Sequence, residues 1–339
     1  MSGTPSREPR ETTLTTILDA SSAPPEPAGT RRTHHAGIWR RGRIAALLAP
    51  LTTLVMLGHA LVPDRAGHLG SLTETFLPWT GLVVPLLLVC AAVRRSATAA
   101  AAVLLPALVW GLLHGGTLTD KQTSGGDLTV VTHNVNEHNP RPGHTARALA
   151  ASDADVVALE ELGDSSVYEK ALAADYPYHS VRDTVGLWSR YPLTDTRTVD
   201  IAPWPRALRA TVRTPEGPIA VYVAHLLSVR FSPTRGFGTD ARDRAAGRLA
   251  AALRAEPLPR ALLVGDLNGT TDDGALSALT SPMHSAQETA GAGFGLTWPA
   301  AFPLARIDHI LLRGVEARSA WTLPATDSDH LPVAASLRL

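Results

Sequence analysis

The sequence predicts an α/β sandwich built on two sheets, preceded by three membrane-spanning helices. Three observations lead there. Three long apolar stretches without a charge lie before residue 117. From Leu128 onward, short β-rich runs alternate with turns and a few helical segments. Polar side chains then gather where those runs end, which is where α/β proteins build sites. The 339 residues, 45% of them hydrophobic, provide for one large domain and a smaller region.

The zero net charge hides a division. Residues 1–118 hold 10 arginines against 6 acidic residues, whereas residues 119–339 hold 21 Lys and Arg against 25 Asp and Glu. An acidic C-terminal region suits divalent cations better than non-specific nucleic-acid binding, which shows a basic face. The single cysteine, Cys90, excludes a disulfide within the chain and a zinc–thiolate cluster.

Residues 1–42, rich in Pro, Ser, Thr, Arg and Gly, read as a disordered cytoplasmic tail. The apolar stretches over 44–62, 76–93 and 97–116 each fall within the roughly 17–25 residues that cross a bilayer. Buried soluble helices rarely stay uncharged for so long, and a cleavable signal would not follow a long tail and precede two more spans. Orientation follows from arginine. Seven precede the first span, Arg65 alone lies in the first loop beside Asp64 and Glu74, and Arg94 and Arg95 occupy the second loop. Positive residues favour the cytoplasm, so three crossings put everything after Gly116 outside. The expected location is thus a multi-pass cell-membrane protein. Residues 117–127 read as a polar linker, and the soluble domain covers 128–339.

Expected strands are Leu128–His133, Val156–Leu159, Gly186–Trp188, Leu208–Arg213, Ile219–Ala224, Ala261–Val264, Ile307–Leu312 and Val333–Leu337. Expected helices are Thr145–Ala151 and Asp240–Arg254, the latter from Ala245, Leu249 and Leu253 at helical spacing. Six short stretches place hard-oxygen ligands or histidines beside these strands, each expected at a strand exit. They hold Asn134 and Asn136, Glu160 and Glu161, His225, Asp266 and Asn268, Asp308 and His309, and Asp329 and His330. Any one of them is explained by turn chemistry or by an interior hydrogen bond. Six in one domain are not.

The order Asn134, Glu161, His225, Asp266-Leu-Asn268, Asp308, Ser-Asp329-His330 resembles the endonuclease/exonuclease/phosphatase superfamily, the deoxyribonuclease-I-like hydrolases, over the whole of 128–339. The resemblance implies a four-layer α/β sandwich, two mixed sheets flanked by helices. It implies hydrolysis of a phosphodiester or phosphomonoester with Mg²⁺, or with Mn²⁺ or Ca²⁺ in its place. Residue by residue, it implies that Glu161, Asn134 and Asp329 form the metal site, whose hard oxygens suit Mg²⁺. Asp266 and Asn268 are implied to activate the attacking water, His330 to face the phosphate, Asp308 to pair with that imidazole, and His225 to contact the phosphate.

Three neighbours depart from the family's commonest pattern: Glu160 where relatives often have Gln, Asn136 where several have Asp, and Leu267 for the frequent Phe. Glu160 is expected to bring extra charge beside the metal. His309, next to Asp308, should point the opposite way and be structural. The loop Ser228–Thr239, with Arg230, Phe231, Arg235 and Phe237, reads as a surface loop or as a contact for a membrane or phosphate. Expected partners are a phosphate ester (phospholipid head group, nucleic acid or small phosphorylated molecule) and the bilayer, with no obligate protein partner evident. The competing reading is a catalytically silent domain that uses the fold for binding or scaffolding.

Overall fold

The computed structural model describes residues 42–63, 69–232 and 236–339. The tail expected over 1–42 therefore lies, except for Gly42, outside the described residues, as do Asp64, Arg65, Arg235 and the side chain of Phe231.

The N-terminal region is helical. It comprises α1 (Arg43–Gly58), α2 (Leu69–Thr75), α3 (Val83–Val93) and α4 (Ala97–His114). With their 3-10 extensions, Arg43–Leu61 and Ala97–Leu118 are each long and apolar enough to cross a membrane. The stretch expected as a span over 76–93 is helical from Leu77 to Val93 and does not pass as a crossing by itself. Leu77–Leu82 is a 3-10 turn with Pro78 in its first positions, and the path from α2 into Leu77–Val93 bends by 64°. Proline favours a helix's first turn and cannot continue the ladder before it, which accounts for a new helix starting here. A third crossing exists only if this bent pair is one span. Small residues let the helices approach. Ala45, Ala49, Leu87, Ala91, Ala99 and Val103 form a buried seam. A Cβ on Gly42 would fall 2.9 Å from that of Ser96, so the start of α1 adjoins the α3–α4 turn.

The remainder runs β1 (Leu128–Asn134), α5 (Pro142–Ala150), β2 (Val156–Glu160), α6 (Ser165–Leu172), β3 (Tyr178–Arg182), β4 (Val185–Ser189), β5 (Leu193–Thr198), β6 (Ala207–Thr214) and β7 (Gly217–Ala224). A ribbon of β8 (Arg230–Ser232) and β9 (Gly236–Gly238) precedes α7 (Asp240–Arg254) and β10 (Ala261–Asp266). Then come α8 (Ser277–Thr280), β11 (His284–Ser285), α9 (Ala286–Ala290), β12 (Asp308–Arg313), β13 (Glu316–Thr322) and β14 (Val333–Arg338). Two mixed six-stranded sheets result, in the orders β13-β14-β1-β2-β4-β3 and β11-β12-β10-β7-β6-β5.

The central strands are apolar on both faces because both faces are covered. Val130, Val156 and Leu187 meet Val221, Val264 and Ile310 between the sheets. Ala146, Leu149 and Leu172 of α5 and α6 cover the outer face of the first sheet against Val157 and Trp188. Ala245, Leu249 and Leu253 of α7 cover the second against Tyr222 and Leu263. That is the four-layer sandwich. Residues 117–127, read as a polar linker, lie partly along it, with the Thr123 N–H donating to the Arg318 carbonyl at 2.6 Å.

Not all six chemistry-bearing stretches stand at strand exits, which corrects that expectation. Asn134, Glu160, His225 and Asp266 end or follow β1, β2, β7 and β10, but Asp308 begins β12 and Asp329-His330 precedes β14. Both later strands run antiparallel to their neighbours, with Asp308 in register with Asp266. Their beginnings therefore fall on the edge where the others end.

Candidate active site

Backbone geometry comes first. A Cβ on Gly265 would lie 2.1 Å from the Ala224 carbonyl oxygen, and its φ is +132°, so only glycine lets β10 approach β7 just before Asp266. Glu161 and Asn268 adopt φ of +55° and +48°. Such strain persists where surroundings over-determine it, and it clusters at functional sites.

Asp266 is the hub. Its Oδ1 accepts the Asn268 N–H at 2.8 Å, and its Oδ2 accepts the amides of Asn134 at 3.0 Å and Asn268 at 3.2 Å. His330 Nδ1 pairs with Asp308 Oδ2 at 2.9 Å, and its Nε2 points toward Asp266 Oδ2, 3.9 Å away. The Ser-Asp-His stretch is pinned to β1: Ser328 Oγ donates to the Asn134 carbonyl at 2.7 Å and accepts the His330 N–H at 3.1 Å. All three titratable groups are buried. Burial opposes charge on His330, but the carboxylates of Asp308, Asp266 and Asp329 outweigh it and push the imidazole up to about 10. Burial, with Asp308 nearby, raises Asp266 to about 7 despite His330. Asp308 is lowered, because the charge and hydrogen bond of His330 outweigh its burial.

His225 Nε2 lies 3.3 Å from Glu161 Oε1 and 3.7 Å from Asp266 Oδ2. Burial first, then the charges of Arg206 and His330, hold this ring well below 6.5, so it is neutral. Arg206 was not anticipated from the sequence. Its Nε donates to the His225 carbonyl at 3.1 Å, and Nη2 lies 2.6 and 2.8 Å from the ring nitrogens. Asn136 donates to Asp329 Oδ1 at 2.8 Å, and Trp298 Nε1 lies 3.4 Å from Asp329 Oδ2.

Glu160 corrects the expectation of extra charge near a metal. It is fully buried, accepts a hydrogen bond from Thr132 Oγ1 at 2.9 Å, and is raised well above 4.5 by burial and then by Asp308. A neutral Glu has nearly the shape of Gln, which accounts for the substitution without a charge. His309 turns to the Gly269 carbonyl at 2.9 Å, on the other face, as alternation requires.

Asp266, Asp308 and His330 offer three potential ligand atoms within 4.8 Å of one another. One ring nitrogen of His330, however, is committed to Asp308, and the other turns toward Asp266. The better fit is beside them. Glu161 and Asp329 face a cavity of about 560 Å³ together with Asp266, Asn268 and His330. Among the described residues neither Glu161 nor Asp329 has a Lys or Arg within ion-pair distance, and the partner of Glu161 there is the neutral His225. Carboxylates beside an amide oxygen are a donor set that suits Mg²⁺ or Ca²⁺. Asn134 is mostly a support, its amide already tied to Asp266 and to the Asn136 N–H at 3.0 Å.

The structure thus sets two mixed sheets between helices, with a His–Asp pair and converging carboxylates and amides on one edge. Residues 131–330 match the Endonuclease/Exonuclease/phosphatase family, and the chain belongs to it. Members of that family are hydrolases acting on phosphoester bonds. No curated protein matches the chain's sequence at a significant level. Several solved structures share the fold. An endonuclease/exonuclease/phosphatase from Beutenbergia cavernae is 19% identical, with TM-score 0.51 over 63% of this chain and 72% of its own. The mannosyl-6-phosphatase of Bacteroides thetaiotaomicron is 16% identical, with TM-score 0.52 over 63% of this chain and 100% of its own. A humanized D. rerio TDP2 is 18% identical, with TM-score 0.52 over 62% and 99%.

Proposed function

We propose that this chain is a membrane-anchored, divalent-metal-dependent phosphoesterase acting on the outer side of the membrane. The observation that carries the reading is the convergence of Asp266, His330, Glu161 and Asp329 on one cavity at one sheet edge, with Asp308 buried behind His330.

Glu161 and Asp329 would hold the metal, with Asn134 orienting its surroundings. A bound divalent ion would supply charge that acidifies water and neutralises phosphate oxygens. Asp266, fixed by Asn134 and Asn268, accepts the proton of the attacking water, and its elevation to about 7 suits a base working near neutrality. His330, held cationic by Asp308, donates through Nε2 to the phosphoryl oxygens as charge builds in the in-line transition state. Neutral His225, braced by Arg206, contributes a further contact to the phosphate.

Sidedness rests on charge. Arg43 starts α1, and Arg94 and Arg95 lie in the α3–α4 turn beside it, whereas the sandwich follows the far end of α4. Arginines at one end of an apolar bundle favour the cytoplasm there. Most apolar side chains of α1 and α4 are exposed, Leu47 and Leu112 at 70% and 76% among them, which suits contact with lipid.

The test is turnover by the full-length protein with Mg²⁺ against DNA, RNA, phospholipids and sugar phosphates. Hydrolysis of at least one class that disappears in Asp266→Ala is expected. No turnover of any class would favour the silent scaffold.

A further inference from the structure

The cavity that holds the catalytic groups is not built by the sandwich alone. Ser71, Leu72, Thr75 and Phe76, from α2 and the residue after it, form one of its walls. This segment connects the two first apolar stretches of the anchor, far in sequence from every motif of the site. Buried polar bonds seat it. Ser71 Oγ donates to Asp273 Oδ2 at 2.7 Å, and Asp273 pairs with the buried Arg242 at 2.7 Å. Arg242 in turn donates to the Asn268 carbonyl at 3.0 Å. The Gly274 N–H donates to Glu74 Oε2 at 2.9 Å. The next turn is also tied down, with Trp79 Nε1 donating to the Leu304 carbonyl at 2.7 Å. The anchor is therefore fastened to the same 266–274 loop that carries Asp266 and Asn268.

Two of the residues it supplies are apolar: Leu72 and Phe76 line the cavity along with Phe237, Val229, Trp298 and Ile307, in company with the acidic and histidine groups. At about 560 Å³ the cavity holds considerably more than a phosphate. A purely ionic substrate would leave this surface wetted, and wetted apolar surface adds nothing to binding. The wall belongs to a loop between apolar helices, so in a membrane its position is at the bilayer surface.

We propose that the anchor's outer loop is part of the substrate site. Leu72 and Phe76, with Phe237, bind the apolar chain of an amphiphilic phosphate ester whose phosphate lies at His330. This deepens, and rests on, the phosphoesterase reading. An apolar chain is favoured over a nucleoside because the domain is acidic and the cavity opens beside the anchor.

The test uses the full-length protein in lipid nanodiscs with Mg²⁺. Substrates are 4-nitrophenyl phosphate diesters bearing a methyl, butyl or hexyl group, below their micelle concentrations, and one bearing thymidine. For the wild type, kcat/KM should rise with chain length, by roughly two- to fourfold per methylene buried. Leu72→Ala and Phe76→Ala should each lower the hexyl-to-methyl ratio several-fold, and Phe76→Leu should keep most of it. That ratio is internally referenced, so partial unfolding, which scales both rates, does not move it. A flat chain-length series, ratios unchanged in both alanine variants, or a preference for the thymidine ester would overturn the apolar wall and leave the hydrolase reading intact. No turnover of any ester would strike that reading itself, and the inference with it.

Discussion

The His330–Asp308 pair permits a sharp perturbation, because both partners are buried and only 2.9 Å apart. Raising an imidazole from 6.5 to about 10 corresponds to about 5 kcal/mol of preference for its charged form, and Asp308 is the largest of the influences that raise it. Asp308→Asn keeps the size of the side chain and removes the charge. The ring then loses the largest influence that favours its charge, while burial still opposes that charge, so its cationic form is weakened. If the cationic ring is what the transition state needs, kcat should fall roughly 10²–10⁴-fold. His330→Ala should fall into the same range, and the double variant should be scarcely slower than His330→Ala, since Asp308 acts only through the ring it charges. The assay is kcat for bis(4-nitrophenyl) phosphate at saturating Mg²⁺ and pH 7, with thermal melts to confirm folding. Multiplicative losses would mean that Asp308 has its own role, at the metal for example, and would refute the pairing as drawn.

Two other outcomes are expected. An alkaline phosphatase reporter fused after Leu339 should be active, as it is only when exported, and a silent but intact fusion would contradict the outward topology. Away from the site, Arg209 forms a buried double contact with Glu256 at 2.9 and 3.0 Å, joined by the Tyr222 hydroxyl at 2.7 Å. Burial raises the Glu256 carboxyl, but Arg209 and Tyr222 outweigh it and hold it below 4.5. Its contribution is thus full above the unfolded value near 4.5 and fades as pH falls through the lower folded value. Arg209→Ala should cost about 3–5 kcal/mol at pH 7, read by urea unfolding, and less in acid, where Glu256 protonates in both proteins. An equal loss at both pH values would contradict this.

The central strands were legible in the sequence because Val, Leu and Ala crowd into segments buried on both faces, as in β1, β7 and β10. The α7 helix was legible from its spacing, over the same residues. Edge strands were not. Tyr178–Arg182, Leu193–Thr198 and Glu316–Thr322 are mostly polar and half-exposed, so neither alternation nor an apolar run marks them. The α6 helix went unread although Asp164 caps it, because eight residues are too few for a clear period. Within the site, residues carried by short motifs beside strands were found. Arg206 was missed because it reaches His225 only through the antiparallel register that pairs Ala207 with Ala224. The wall from α2 was beyond reach for a similar reason. Ser71 and Asp273 are 202 residues apart, and nothing in either neighbourhood names the other.

The most direct measurement of the central claim is metal dependence at the site itself. The full-length protein would be stripped with a chelator and titrated with Mg²⁺ while hydrolysis of bis(4-nitrophenyl) phosphate is followed, for wild type and for Glu161→Gln. The expected wild-type result is no turnover without metal and saturable recovery. In Glu161→Gln the half-activating concentration should rise by about tenfold or more, because a neutral amide replaces a charged ligand. Full activity in the stripped protein, or the same midpoint in both proteins, would contradict a metal-dependent phosphoesterase with Glu161 at its metal.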